Sequence, residues 1–397
     1  MAAGAVTSAI EGVVARPGRR LEAVAFRGVQ VALLPLALLG YGAWVTRMIR
    51  YTRRTGVSAT VLASQYARWM QHRLGTRRDE ACARLMAVLP NVSALGLRLV
   101  AAPTLLGHRL TGYVPRIYRY PYEGKAVLAH HAPARTTYFD AALARSLGAV
   151  DQLVVLGAGL DTRVQRLPGS ASVRCFEVDA PQTQAFKRAL LEKAGVEAAG
   201  VSYVPADFEH EDWMEKLVAA GFDREKPTFF LWESVSMYLD RPAVERTLRA
   251  IAAAGPGSVI AFDYLARELI EARSLSMRYA RAILRVIGEP WTFGVETASP
   301  EGRTPDPEPL EALLEACGLT LLGQQLVWQD PRRRGVAAGF VTARAAAHAT
   351  RSSAGLGTVE PSSSPPGASR ASRPGGAGPD PLCRGTRSGL QDRGSHR

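Results

Sequence analysis

Asp151-Gln152-Leu153-Val154-Val155-Leu156-Gly157-Ala158-Gly159-Leu160-Asp161-Thr162-Arg163 decides the fold. It reads as a short buried strand, a glycine turn and a polar exit. About half a βαβ unit later, Val173-Arg174-Cys175-Phe176-Glu177-Val178-Asp179 is a second apolar run that ends in an acid. A strand, a Gly-x-Gly turn and a second strand with a terminal acid is how doubly wound sheets hold an adenosine. Gly157 and Gly159 let the backbone approach a ligand, and Asp179 is placed to accept hydrogen bonds from ribose hydroxyls.

Working outward, the same rhythm continues. Val201–Phe208 reads as a third strand with Asp207 at its end, Pro227–Glu233 as a fourth, and Gly257–Tyr264 as a fifth. Helices are expected over 132–147, 182–194, 212–220 and 241–254. Alternating strands and helices predict a mainly parallel α/β sheet with ligands at the carboxyl ends of the strands. A helix over 266–286 and the run Gly288-Glu289-Pro290-Trp291-Thr292-Phe293-Gly294 read as an inserted lid. Residues 309–317 then form the last helix, and 319–322 and 335–343 the last two strands, an antiparallel pair.

The chain has 397 residues, 47% apolar, enough for a sizeable core. Its net charge of +13 sits mainly at the ends: the first 60 residues carry eight Arg against two acids, and residues 346–397 seven against three. The body keeps about +3 and no basic stripe, so nucleic acid is not an expected partner. Cys82, Cys175, Cys317 and Cys383 are far apart, and His130-His131 is not at ligand spacing, so no metal site is expected.

The ends read as separate segments: 1–57, then a body at 58–345, then a Ser/Gly/Pro/Arg-rich tail at 346–397 that reads as disordered. Residues 28–45 carry no charge and are closed by Arg47, Arg50, Arg53 and Arg54. They sit at the lower edge of spanning length, with Gln30 and Pro35 against it. A membrane anchor or interfacial helix, a soluble packing helix and upstream sequence read from a mis-assigned start all stay open. The location expected is cytoplasmic, with membrane contact through this segment as the variant reading. Ala59, Leu62, Ala63, Tyr66, Ala67 and Met70 recur at helical spacing and predict a helical cap. Tyr113, Tyr118, Tyr120 and Tyr122 read as a loop over a pocket.

Two observations narrow the cofactor. The dinucleotide fingerprint needs a third glycine, where this chain has Thr162. That disfavours NAD or FAD and leaves room for a cofactor without phosphates, such as S-adenosylmethionine. Asp179, Asp207 and Glu233 end successive strands beside the glycine turn.

At these residues the sequence resembles the leucine carboxyl methyltransferase family of class I S-adenosylmethionine-dependent O-methyltransferases. Leu156–Arg163, Phe176–Pro181, Asp207-Phe208, Glu233–Leu239 and Gly288–Gly294 carry the likeness, over about residues 58–345. The resemblance implies a Rossmann-like fold with a seven-stranded, mostly parallel sheet, a helical N-terminal cap and a lid insertion. It also implies roles: Arg135 for the cofactor carboxylate, Gly157 for a backbone contact and Asp179 for the ribose. Asp207 and Phe208 would flank adenine, where the family has Asp-Leu, and Glu233 would lie beside the amino-acid end. Gly159 belongs to the same turn. The implied acceptor is a carboxylate, or a hydroxyl, on a small molecule or protein. No catalytic base stands out; His130, His131 and Tyr238 are weak candidates. A catalytically silent cofactor-binding module and an oxidoreductase are the competing classes.

Overall fold

The computed structural model describes residues 17–57, 61–167, 172–197, 200–298, 305–330, 332 and 335–346. The tail and Cys383 lie outside the described residues. A seven-stranded sheet runs in the order β3-β2-β1-β4-β5-β7-β6, with β1 (Gln152–Leu156), β2 (Arg174–Asp179), β3 (Val201–Pro205), β4 (Thr228–Trp232), β5 (Val259–Leu265), β6 (Leu319–Trp328) and β7 (Val336–Ala345). The pairs β1–β2, β1–β4, β2–β3 and β4–β5 are parallel, while β7 is antiparallel to both β5 and β6. This is the expected Rossmann-like architecture.

The strands are apolar because helices cover both faces. On one side Val154, Leu156, Phe176, Phe230 and Trp232 pack into one cluster. On the other, Leu153, Val155, Phe229, Leu231 and Phe340 pack with Phe139. The period of two along β1 and β4 sorts neighbouring side chains between the two layers. Strand order reverses between β1 and β4, so a crevice opens at their carboxyl ends. The glycine turn and Glu233 both stand there.

Ahead of the sheet lie α1 (Pro17–Ala32), α2 (Leu34–Thr55), α3 (Val61–Arg73), α4 (Glu80–Val88), α5 (Ala94–Thr111) and α6 (His131–Ser146). The uncharged run 28–45 is not one helix. It breaks at Leu33, just before Pro35 at the start of α2, and the two arms meet at 60°. Proline lacks the N–H that would continue the ladder, and its ring clashes with the preceding turn. No single described helix is long and apolar enough to cross a membrane; the bent pair passes on length and composition only.

Both arms pack on α5. A Cβ on Gly40 would stand 2.6 Å from Leu99 Cβ and 2.8 Å from the Gly96 carbonyl, so α2 and α5 touch backbone to backbone. Phe26 of α1 is buried against Gly107 of α5. Gly40→Val is therefore expected to push the helices apart and cost about 1–3 kcal/mol in urea unfolding, whereas Gly42→Val, with nothing within 4 Å, should be close to neutral.

Beyond β2 come α7 (Pro181–Lys193), α8 (Trp213–Ala219), α9 (Arg241–Ala252), α10 (Arg267–Glu271), α11 (Leu275–Ile287) and α12 (Glu308–Ala316). The helix expected over 266–286 is two. Ser274 caps α11 by accepting from the Met277 amide, and Arg281 donates to the freed carbonyls of Ile270 and Ala272. The break is thus satisfied by side chains, which apolar periodicity does not register. Strand β6 also runs further than 319–322, through the polar Gln324 and Gln325. As an edge strand it has one partner only, and a register shift at Leu321/Gly323 breaks its alternation.

Candidate active site

The crevice is a cavity of about 480 Å³ whose wall includes Arg135, Gly157, Gly159, Asp179, Asp207, Phe208 and Glu233. All seven residues singled out in the sequence therefore come together. The volume is in the usual range for small-molecule sites.

The turn is built around backbone freedom. Gly157 has φ +62, and a Cβ there would lie 2.3 Å from Val235 Cγ2. Its amide donates to the Val178 carbonyl at 2.7 Å, which ties the turn to β2. The Gly159 amide donates to Asp179 Oδ2, and Asp179 Oδ1 accepts from the Ala180 amide at 2.7 Å. Asp179 is thus held against the turn. Burial pushes its carboxyl up to about 6, against the pull of these two amides. Gly157→Ala should cost more than about 1 kcal/mol, read as a lower urea midpoint, because both the positive φ and the Val235 contact resist a side chain.

Next to the turn lies a buried ion network that the motifs did not announce. Glu233 lies 2.8 Å from Arg68, 3.0 Å from Arg135 and 2.6 Å from Arg163. Arg68 also reaches Asp161 at 3.1 Å, and Arg163 reaches Asp140 at 2.7 Å. Burial alone would raise the Glu233 carboxyl, but the guanidiniums of Arg163, Arg68 and Arg135 outweigh it and hold it well below the carboxylate range. Arg135 also donates to Ser64 and Ser234. Ser234 is itself in the left-handed region, φ 61, with its amide donating to Asp263 Oδ1 at 2.6 Å. Burial pushes the Asp263 carboxyl up to about 6.

Asp207 is more exposed than the others. Its Oδ1 accepts from the Glu209 and His210 amides at 2.8 and 3.3 Å, and His210 Nδ1 lies 3.0 Å from Oδ2. Burial, the largest single effect, would raise its carboxyl, but the Glu209 and His210 contacts together outweigh it and hold it low. Phe208 is buried against Trp213, with ring centroids 6.0 Å apart.

One expectation does not hold. None of Tyr113, Tyr118, Tyr120 and Tyr122 lines the cavity. Tyr120 instead donates to Asp140 and Tyr122 to the Lys125 carbonyl, so these rings brace the junction of cap and sheet. His130 and His131 are likewise absent from the wall. Burial first, then nearby Arg135, pushes His131 down to about 3, leaving it neutral. Tyr238 does line the cavity.

Conversely, Ser64, Gln65 and Arg68 of α3 were not singled out and do line it. They hide within a stripe that reads as plain core packing. Arg68 gave the one available signal, a charge set between Ala67 and Trp69 in an apolar helix. It is 3% exposed.

Residues 121–252, which contain the turn, Asp179, Asp207 and Glu233, match the family described as leucine carboxyl methyltransferase. This part of the chain is similar to that family. Relatives carry the name "Putative S-adenosyl-L-methionine-dependent methyltransferase". One from Mycolicibacterium vanbaalenii is 35% identical over 168 residues, 41% of this chain and 53% of its own. One from Mycolicibacterium paratuberculosis is 41% identical over 132 residues, 33% of this chain and 44% of its own. One from Mycobacteroides abscessus is 38% identical over 144 residues, 36% and 48% of the two chains. The chain spans about half the length of the curated relatives it matches.

Proposed function

We propose that the chain is an S-adenosylmethionine-dependent O-methyltransferase acting on a carboxylate. The observation that carries this is the pairing of a buried, turn-anchored Asp179 with the Gly157/Gly159 turn at the switch point, in a segment similar to the leucine carboxyl methyltransferase family. The wall suits that cofactor. Gln65 is 1% exposed and, among the described residues, neither end of its amide has a partner and Arg68 Nε is also unpaired. Unpaired buried polar atoms in a cavity wall call for a polar ligand.

In this reading Asp179 takes the ribose hydroxyls, and Phe208 and Asp207 border the adenine. Arg135, positioned by Ser64 and Ser234, holds the carboxylate of the amino-acid end, and Glu233 faces its ammonium. When bound, the cofactor supplies an electrophilic methyl group on a sulfonium. What the protein adds is positioning and exclusion of water. Val235, Tyr238, Leu239 and Glu289 complete the wall and would face the acceptor. A carboxylate acceptor is already ionised at neutral pH and needs no general base, which agrees with a described wall free of histidine.

The test is the chemistry of the product. With methyl-labelled cofactor and a panel of small-molecule and peptide carboxylates, the label should be released as methanol by mild base. Base-stable label would instead place the methyl on a hydroxyl as an ether. A protein that binds S-adenosylhomocysteine yet labels no acceptor would favour the silent module.

A further inference from the structure

Four helices turn apolar stripes toward solvent. On α1 these are Leu21, Val24 and Val31, opposite the buried Phe26. On α5 they are Leu95, Leu106 and Leu110, and on α2 Leu34, Leu38, Leu39 and Tyr41, away from Gly40 and Thr52. The fourth is the lid helix α11, where Leu275 is 81% exposed, Tyr279 70% and Val286 49%. Positions 275, 279, 282 and 286 fall on one face. Of the eighteen exposed large apolar side chains among the described residues, fourteen lie on these four helices. Scattered exposure is ordinary, but concentration on adjoining helices is not. The helices do adjoin: α1 and α2 pack on α5, and α11 packs on α2.

The charge on these helices is one-sided. Their described residues include Arg27, Arg47, Arg50, Arg54, Arg98 and Arg278 among others, and a single acid, Glu22. Arg47, Arg50 and Arg54 line a groove of about 620 Å³ with Tyr51 and Ser93. Exposed apolar side chains and arginines on the same helices complement the acyl–headgroup boundary of an anionic bilayer. The 60° bend and the packing of both arms on α5 fit a face lying on the surface rather than a span. Gly56, which ends α2, and Glu289, just after α11, both line the active-site cavity, so the face runs up to its mouth.

We propose that α1, α2, α5 and α11 form a docking face for an anionic lipid bilayer, with the cavity mouth at its border. The docking face stands on its own observations; only the placing of an active site at the bilayer rests on the methyltransferase reading. The full chain should float with phosphatidylcholine–phosphatidylglycerol vesicles, much less with phosphatidylcholine alone, and carbonate should strip it from them. The pair Leu275→Asp/Tyr279→Asp should weaken vesicle binding at least about tenfold, while Leu322→Asp, exposed on β6, should not. Arg50→Glu/Arg54→Glu is a second variant, expected to remove the preference for anionic lipid. Titration with S-adenosylhomocysteine, run in parallel, separates this idea from the cofactor reading, since either can fail alone. The proposal is overturned by absent flotation, by carbonate-resistant insertion, or by wild-type flotation of the α11 pair. It is equally overturned if light scattering finds a dimer that the α11 pair dissolves and vesicles leave untouched, because the face would then join two copies of this chain.

Discussion

Replacing Asp179 by alanine should weaken S-adenosylhomocysteine binding by about a hundredfold or more while leaving the protein folded. A buried carboxylate accepting two ribose hydroxyls makes two charge-assisted hydrogen bonds, each worth roughly 1.5–3 kcal/mol. The Gly159 and Ala180 amides that hold Asp179 in place would lose their acceptor but stay near the crevice surface. The same residue predicts a pH dependence. Burial raises the Asp179 carboxyl to about 6 in the free protein, so below that pH it is protonated and a poorer acceptor. Affinity should therefore rise with pH through about 6 and level off above it, falling at most about tenfold per unit below. Asp263, also raised to about 6, could contribute its own dependence through Arg135. Asp179→Asn separates them: its profile should flatten if Asp179 is the titrating group and keep its slope if Asp263 is.

Glu233→Ala should produce the largest loss of stability, about 3–5 kcal/mol. The substitution leaves Arg68, Arg135 and Arg163 buried around an empty place, each within 3.0 Å of the lost carboxylate. Uncompensated buried charge is the costly half of an ion pair, far more than the pair itself contributes. Chemical denaturation should report the drop. Because the three guanidiniums hold the folded-state Glu233 carboxyl below its ordinary value, its contribution is complete above the ordinary carboxylate range. That contribution fades progressively as pH falls from the ordinary value near 4.5 down to about 2, so wild type and variant should converge in acid. A variant as stable as wild type at neutral pH would show that the network is not held by this carboxylate.

The sequence was readable where chemistry and periodicity coincide. The Gly157-Ala158-Gly159 turn, the strand-end acids and the apolar strands follow from local rules, and the structure places Asp179 and Glu233 at one crevice. It was opaque where a polar side chain is buried by something distant in the chain. Arg68 meets Glu233 across 165 residues, and Asp140, which gathers Arg77 and Arg163, sits on a helix with no motif. Thr162 shows both sides. As a missing third glycine it argues against a dinucleotide turn, but its actual contact, a hydroxyl donated to buried Asp79, has no local signature. The hidden break before α11 has the same origin, since Ser274 and Arg281 satisfy it through caps rather than through apolar spacing.

In the proposed function a phosphate-free adenosine cofactor occupies the crevice between β1 and β4. Calorimetric titration of the intact protein with S-adenosylhomocysteine and, separately, with NAD tests this most directly. One-site binding of S-adenosylhomocysteine, lost in Asp179→Ala and absent for NAD, is the predicted result. Saturable NAD binding, or no heat with S-adenosylhomocysteine from a folded protein, would contradict it.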